Sequence, residues 1–352
     1  MAIAGRGAAG DGTATPFRPQ SELRFMAVLV VATALGPMAM QIFLPALPAI
    51  QAGFGVGGAA AQLVFSLSAF AMAVATLAYG PLSDRFGRRP AMLGGLLVFL
   101  LGSLLSALAP TLELLILGRI VQAAGGVAGM VLARAVIRDV YDRDRSATMI
   151  AYVTMAMVVA PMIAPVLGGF LTDAAGWRVV FVLGGAVGLV VLLAVWADLR
   201  ETAPRIGETT SVAAMVADFK GLLRSRAFVA LTLLAGFSLA VFFGFLAGAP
   251  YLTITVYGRP PSEYGLFFIM VSAAFMAGNF VAARTTRRIG IERMIVIGCT
   301  GSLAGTLISL SLALGGVWTP WAIFLPTVLG AFSQGLAMPN TMAAVVSVNP
   351  LL

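Results

Sequence analysis

The 352 residues are 60% hydrophobic and only 10% charged, with a mean hydropathy of +1.00, which excludes a soluble domain, because soluble helices need polar outer faces. A net charge of +8 would point to nucleic acid in a soluble chain; here the basic residues follow a topology rule instead, and no nucleic-acid partner is expected. Cys299 is the single cysteine and histidine is absent, so an internal disulfide, a cysteine-built metal site and histidine acid–base chemistry are excluded. No cofactor or metal is expected, and no nucleophile–base pair suggests an enzyme.

Residues 1–24 are polar and rich in glycine and alanine, and are expected to form a disordered cytoplasmic tail. A bilayer crossing takes about 20 apolar residues. Ten such runs follow, at 25–46, 60–82, 91–109, 112–133, 147–171, 178–198, 228–250, 264–284, 291–313 and 319–340. Nineteen of the 22 Lys and Arg residues fall at the N-terminus or in every second loop, whereas the opposite loops hold only Arg178 and Arg259. This positive-inside bias assigns the N-terminus to the cytoplasm. The expected fold is all-α and polytopic: a six-helix bundle over 25–199, a cytoplasmic linker over 200–227 with an amphipathic segment at 215–223, and four helices of a second bundle over 228–352.

Span 1 closes on Gln41-Ile42-Phe43-Leu44-Pro45-Ala46-Leu47-Pro48. Between spans 2 and 3 lies a charged hairpin, Gly80-Pro81-Leu82-Ser83-Asp84-Arg85-Phe86-Gly87-Arg88-Arg89. Gly80 would let a neighbouring helix come close, Gly87 would supply conformational freedom for the reversal, and Asp84 could sit on another helix's N-terminus or pair with Arg85 or Arg88. A loop that merely sets orientation would be basic too, but it needs neither the glycines nor the acid.

Span 4 carries Arg119, with Gln122 one turn on along the same face. An arginine inside an apolar span is costly, so a polar cavity or a partner is expected around it, the alternative being a side chain that snorkels to the interface. Glu113, at the outer end of span 4, is the acid nearest the expected cavity. In span 5, Pro161 and Pro165 remove backbone donors while Gly168 and Gly169 permit close packing; an ordinary proline-kinked helix would look similar. Met38, Phe43, Met155, Phe242, Phe243, Phe245, Phe267 and Met270 could line an adaptable apolar pocket, or could face lipid.

The second half echoes the first: Gly248-Ala249-Pro250-Tyr251 answers the end of span 1, and Arg284-Thr285-Thr286-Arg287-Arg288-Ile289-Gly290 answers the charged hairpin without its acid. Weak internal repetition of this kind is a feature of transporters.

The hairpin resembles the signature loop of the major facilitator superfamily. Arg119 to Gln122 resembles its fourth-helix motif, with Ala123 where the family has glycine. The end of span 5 resembles the antiporter motif, and the end of span 1 resembles the bicyclomycin and chloramphenicol (Bcr/CflA) efflux group, with Gln41 in the place of an acid. The resemblance implies proton-coupled efflux of small lipophilic or amphipathic drugs across a bacterial inner membrane, by a monomer in the lipid bilayer. A metabolite carrier, or a transport-incompetent fragment lacking the eleventh and twelfth spans, are the alternatives. By the same resemblance, the hairpin is a latch whose Asp84 meets the eleventh span and whose first arginine, Arg85, reaches an acid after span 4, either Asp139 or Asp142.

Overall fold

A computed structural model describes residues 21–203 and 221–347; most of the expected tail and of the amphipathic linker segment lies outside them. The described residues form helices joined by short turns, with no strand among them. We label the helices α1 (Glu22–Gln41), α2 (Leu47–Phe54), α3 (Gly58–Phe86), α4 (Arg88–Leu108), α5 (Leu112–Val140), α6 (Arg143–Ala175), α7 (Arg178–Asp198), α8 (Arg226–Tyr251), α9 (Pro261–Ile289), α10 (Ile291–Leu314) and α11 (Pro320–Ser347). Ten stretches are long and apolar enough to cross a membrane, α1 and α2 counting as one. They match the ten runs read from the sequence.

Local chemistry sets the helix starts. Ser21, Thr111, Asp142 and Ser225 each accept a backbone N–H in the first turn of α1, α5, α6 and α8. Large apolar side chains such as Phe70, Leu77 and Val190 are more than half exposed on the outside of the bundle. A lipid surround turns that exposure from a liability into the normal state of a membrane helix.

The charged hairpin is almost entirely helical. α3 continues through Phe86 and α4 begins at Arg88, so the reversal is confined to Gly87, whose φ of 100° is open to glycine and strained for other residues. Its counterpart Gly290, at φ 94°, makes the same single-residue junction between α9 and α10. Helix pairing repeats as well. Gly102 of α4 lies against the backbone of Gly118 and Gln122 of α5, as Gly305 of α10 lies against Pro326 and Gly330 of α11. The sequence echo is therefore a structural repeat.

Two apolar cores organise the first bundle. One, built around Leu29, Phe99, Leu132 and Val195, belongs to that bundle alone. The other, near the far ends of the helices, joins both halves by packing Phe43, Phe65 and Phe181 with Leu246, Tyr264, Phe268 and Phe324.

Candidate functional site

The centre of the first bundle is built by the way α1 ends. Pro45 has no N–H to offer the carbonyl of Gln41, so the α-helix stops there and a short 3-10 turn, Leu44–Ala46, follows. The last-turn carbonyl of Ala39 accepts from Arg119 Nη1 at 3.1 Å, and the guanidinium lies 3.9 Å above the Phe43 ring. Arg119 is 1% exposed, which removes the snorkelling alternative. Its Nη1 also donates to Gln122 Oε1, while Gln122 Nε2 donates to Ser103 Oγ at 2.8 Å and the Ser103 hydroxyl donates to the carbonyl of Phe99. Burying a cation costs several kcal/mol. Two charge-assisted hydrogen bonds at about 1.5–3 kcal/mol each and a desolvated cation–π contact of about 2 kcal/mol offset a cost of that size.

Next to this centre, a cavity of about 500 Å³ opens between the two halves. Its wall combines Gln41 of α1 and Met157, Pro161 and Met162 of α6 with Phe242 and Phe245 of α8, Phe268 and Phe275 of α9, and residues of α10 and α11 that include Ser302 and Gln334. Gln334 donates to Ser302 at 3.1 Å. Gln41 is 9% exposed, and its amide oxygen is buried with no hydrogen-bond partner among the described residues.

Several expectations about the wall need correction. Phe242 and Phe245 face the cavity, but Phe43 lies under Arg119, Phe243 packs on Phe65, Phe267 stacks on Phe324, and Met155 is 59% exposed on the outer surface. Met38 and Met270 pack against the shared core. Glu113 is not part of the wall: in the first turn of α5, behind the Thr111 cap, its side chain is exposed.

The span 5 glycines sit at the closed end of the cavity. A side chain on Gly168 would run into the carbonyl of Ile42, and one on Gly169 would meet Pro261 and Ser262 at the start of α9. The carbonyl of Pro165 packs against Gly265. Asp173, one turn beyond, accepts the N–H of Ser262 at 3.0 Å, and Gln62 of α3 donates to the carbonyl of Ala247 of α8 at 2.6 Å. These contacts and the shared aromatic core seal the two halves together at the end away from the arginine loop.

At the arginine-rich end, the loop closes on its own bundle. Arg88, not Arg85, is the central cation: it pairs with Asp84 four residues back, and its Nε meets Asp139 at 3.1 Å. Arg85 instead lies 5.1 Å over the Phe86 ring. Among the described residues nothing lies within 4 Å of the open side of Gly80, and Asp84 pairs with Arg88, one of the two arginines expected for it. Asp142 caps α6 and is not paired with the loop.

Glu201 escaped the sequence reading. Its carboxylate accepts the N–H groups of Arg88 at 2.8 Å and Arg89 at 3.2 Å, so it neutralises the N-terminal end of the α4 dipole. A Cβ on Gly87 would collide with that carboxylate. The only sequence clue was an acid just after a span, among arginines.

Two helical halves related by internal repetition, sealed at one end around a central apolar cavity, define a polytopic carrier. The family description Major Facilitator Superfamily matches residues 29–350, and the chain belongs to that family. Multidrug resistance protein D of Escherichia coli (strain K12) is 29% identical over 95% of this chain and 83% of its own length. A bicyclomycin resistance protein homolog of Haemophilus influenzae is 27% identical over 79% of this chain and 70% of its own. Among solved structures, a POT family transporter superposes with a TM-score of 0.73 at 16% identity, covering 93% of this chain and 83% of that one. A D-xylose-proton symporter reaches 0.71 at 13% identity, over 93% and 86%. At such identities the structures share the fold. The chain is a multi-pass membrane transporter and not an enzyme.

Proposed function

We propose that this transporter exports small lipophilic or amphipathic drugs across a bacterial inner membrane by alternating access, driven by proton entry, with its arginine-rich end in the cytoplasm. The cavity carries the reading. Its volume of about 500 Å³ suits a drug-sized molecule, and its wall joins aromatic and methionine side chains to a few convergent amides and hydroxyls. The described contacts seal the end away from the arginine loop, which supports an inward-facing state when that loop is cytoplasmic. The likeness to relatives named for multidrug and bicyclomycin resistance supports drugs as cargo.

Expression in an efflux-deficient bacterium tests the reading. Resistance to at least one amphipathic antibiotic, abolished by a protonophore, is the expected result. A chain that inserts normally but confers no resistance and no proton-dependent efflux would contradict it.

A further inference from the structure

Arg134 stands in the last two turns of α5, near the arginine-rich end. An arginine so placed ordinarily extends past the end of its helix to water and headgroups. Arg134 does the opposite. A helical side chain leaves the backbone tilted toward the helix N-terminus, and this one follows the tilt into the membrane. Its Nη2 comes to 3.3 Å from the Sδ of Met157, a residue of the cavity wall about four turns inside α6.

This cation has no countercharge. The half-buried side chain pairs with no carboxylate among the described residues, and its Nε is buried without an acceptor. Asp139, little more than a turn further along α5, is held by Arg88, and Asp142 caps α6. The Met157 thioether is only a weak acceptor. Nη1 is neither buried nor bonded, so the guanidinium keeps an edge open. Arg119 differs, being enclosed by Phe43, Ala39 and Gln122. A partly desolvated cation without an anion is costly, and a carboxylate or sulfonate brought to its open edge is held by charge-assisted hydrogen bonds.

The cavity supplies the rest of a site. Among the described residues its wall carries no acid, so an organic cation would find no partner there and a cation, Arg134, just behind Met157. An apolar body of drug size fits the space, and the flexible Met157 side chain is able to turn aside between that body and the guanidinium. The arginines at this end raise the local concentration of anions at the mouth.

We propose that Arg134 is a substrate-binding residue, which seats the carboxylate or sulfonate of an amphipathic anion whose apolar body fills the cavity. Lipophilic organic anions are then the preferred cargo. The proposal rests on the drug-transport reading above and names its substrate class.

The test is equilibrium binding to the purified full chain in phosphatidylcholine nanodiscs, with a matched pair of radiolabelled probes: naproxen, a lipophilic carboxylate, and its primary amide, which has the same body without the charge. Wild type is expected to bind the acid about tenfold more tightly than the amide, the scale of one hydrogen bond to a charged group, and the two should compete for one site. Arg134→Gln should weaken binding of the acid about tenfold and leave the amide unchanged. Arg134→Lys, which restores the cation, should recover the preference for the acid. Equal wild-type affinities for the two probes, an unchanged affinity for the acid in Arg134→Gln, or a parallel loss of both probes there would overturn the proposal while leaving drug transport standing. So would native mass spectrometry in which wild type retains a phosphatidylglycerol that Arg134→Gln loses and naproxen does not displace, because the anion at Arg134 would then be a lipid headgroup. Failure of wild type to bind either probe, in a monodisperse preparation, would overturn the drug-transport reading and this proposal together.

Discussion

Arg119 shows how a single residue can be required for work without being required for the fold. Its burial cost and its contacts are of similar size, so replacing it by a well-packed apolar side chain should be nearly neutral for stability. Arg119→Met is expected to insert and to melt within a few degrees of wild type, yet to lose transport, because the hydrogen-bonded link from the end of α1 through Gln122 to Ser103 is cut. A large fall in melting temperature would instead make the arginine structural. Gly168 is the reverse case, a residue whose lack of a side chain is the point. Gly168→Val places atoms on the carbonyl of Ile42, and overpacking of this kind costs about 1–3 kcal/mol. It should push α6 away from the end of α1 within the first bundle, read as a lower melting temperature and as loss of transport. Arg119, Gln122, Pro161, Pro165, Gly168 and Gly169 were legible in the sequence because a charge or a cluster of small residues stands out within an apolar span. Met157, Met162, Phe268 and Phe275 were not. Helices that are apolar all round give no phase, so the face turned to the cavity cannot be told from the face turned to lipid.

At the scale of the element, the loop between α3 and α4 changes meaning. Its residues were readable, but their partners come from the ends of α5 and α7, more than 50 residues away in the chain, and only folding brings Asp139 and Glu201 to Arg88. The loop is a clamp within one bundle, in which Arg88 holds Asp84 and Asp139 while Glu201 caps α4. Glu201→Gln keeps an acceptor but removes the charge at the α4 N-terminus, and should cost about 1 kcal/mol, measurable as a lower melting temperature in detergent. Gly87→Ala should cost more, since it combines a strained φ with a collision against Glu201. If the two variants melt alike, the collision is relieved by movement of the Glu201 side chain. The helix boundaries were legible to within a few residues because hydropathy dominates them. The continuation of α3 through Pro81 to Phe86 was not, since charged residues and a proline read locally as a loop, whereas the Asp84–Arg88 pair spans the turn.

For the molecule as a whole, the repeat is the organising fact. In the first half, Gly184, Gly185 and Gly188 of α7 press on Gln122, Ser103 and Phe99. The matching side of the second half, with Ser302, Thr306 and Gly330, lines the cavity among the described residues. The two halves meet through aromatic and glycine contacts at one end, so transport requires that this seal open while the other end closes, a rocking of two repeats about a central site. The single cysteine makes the movement accessible to chemistry. In a Cys299→Ser background, Met157→Cys places one thiol on the cavity wall. Labelling of that thiol by a membrane-impermeant maleimide in right-side-out and inside-out vesicles tests the account most directly: it predicts reaction from both sides of the membrane, slowed in each case by a bound drug. Reaction from one side only, unchanged by drug, would contradict an alternating-access carrier with its substrate site between the two halves.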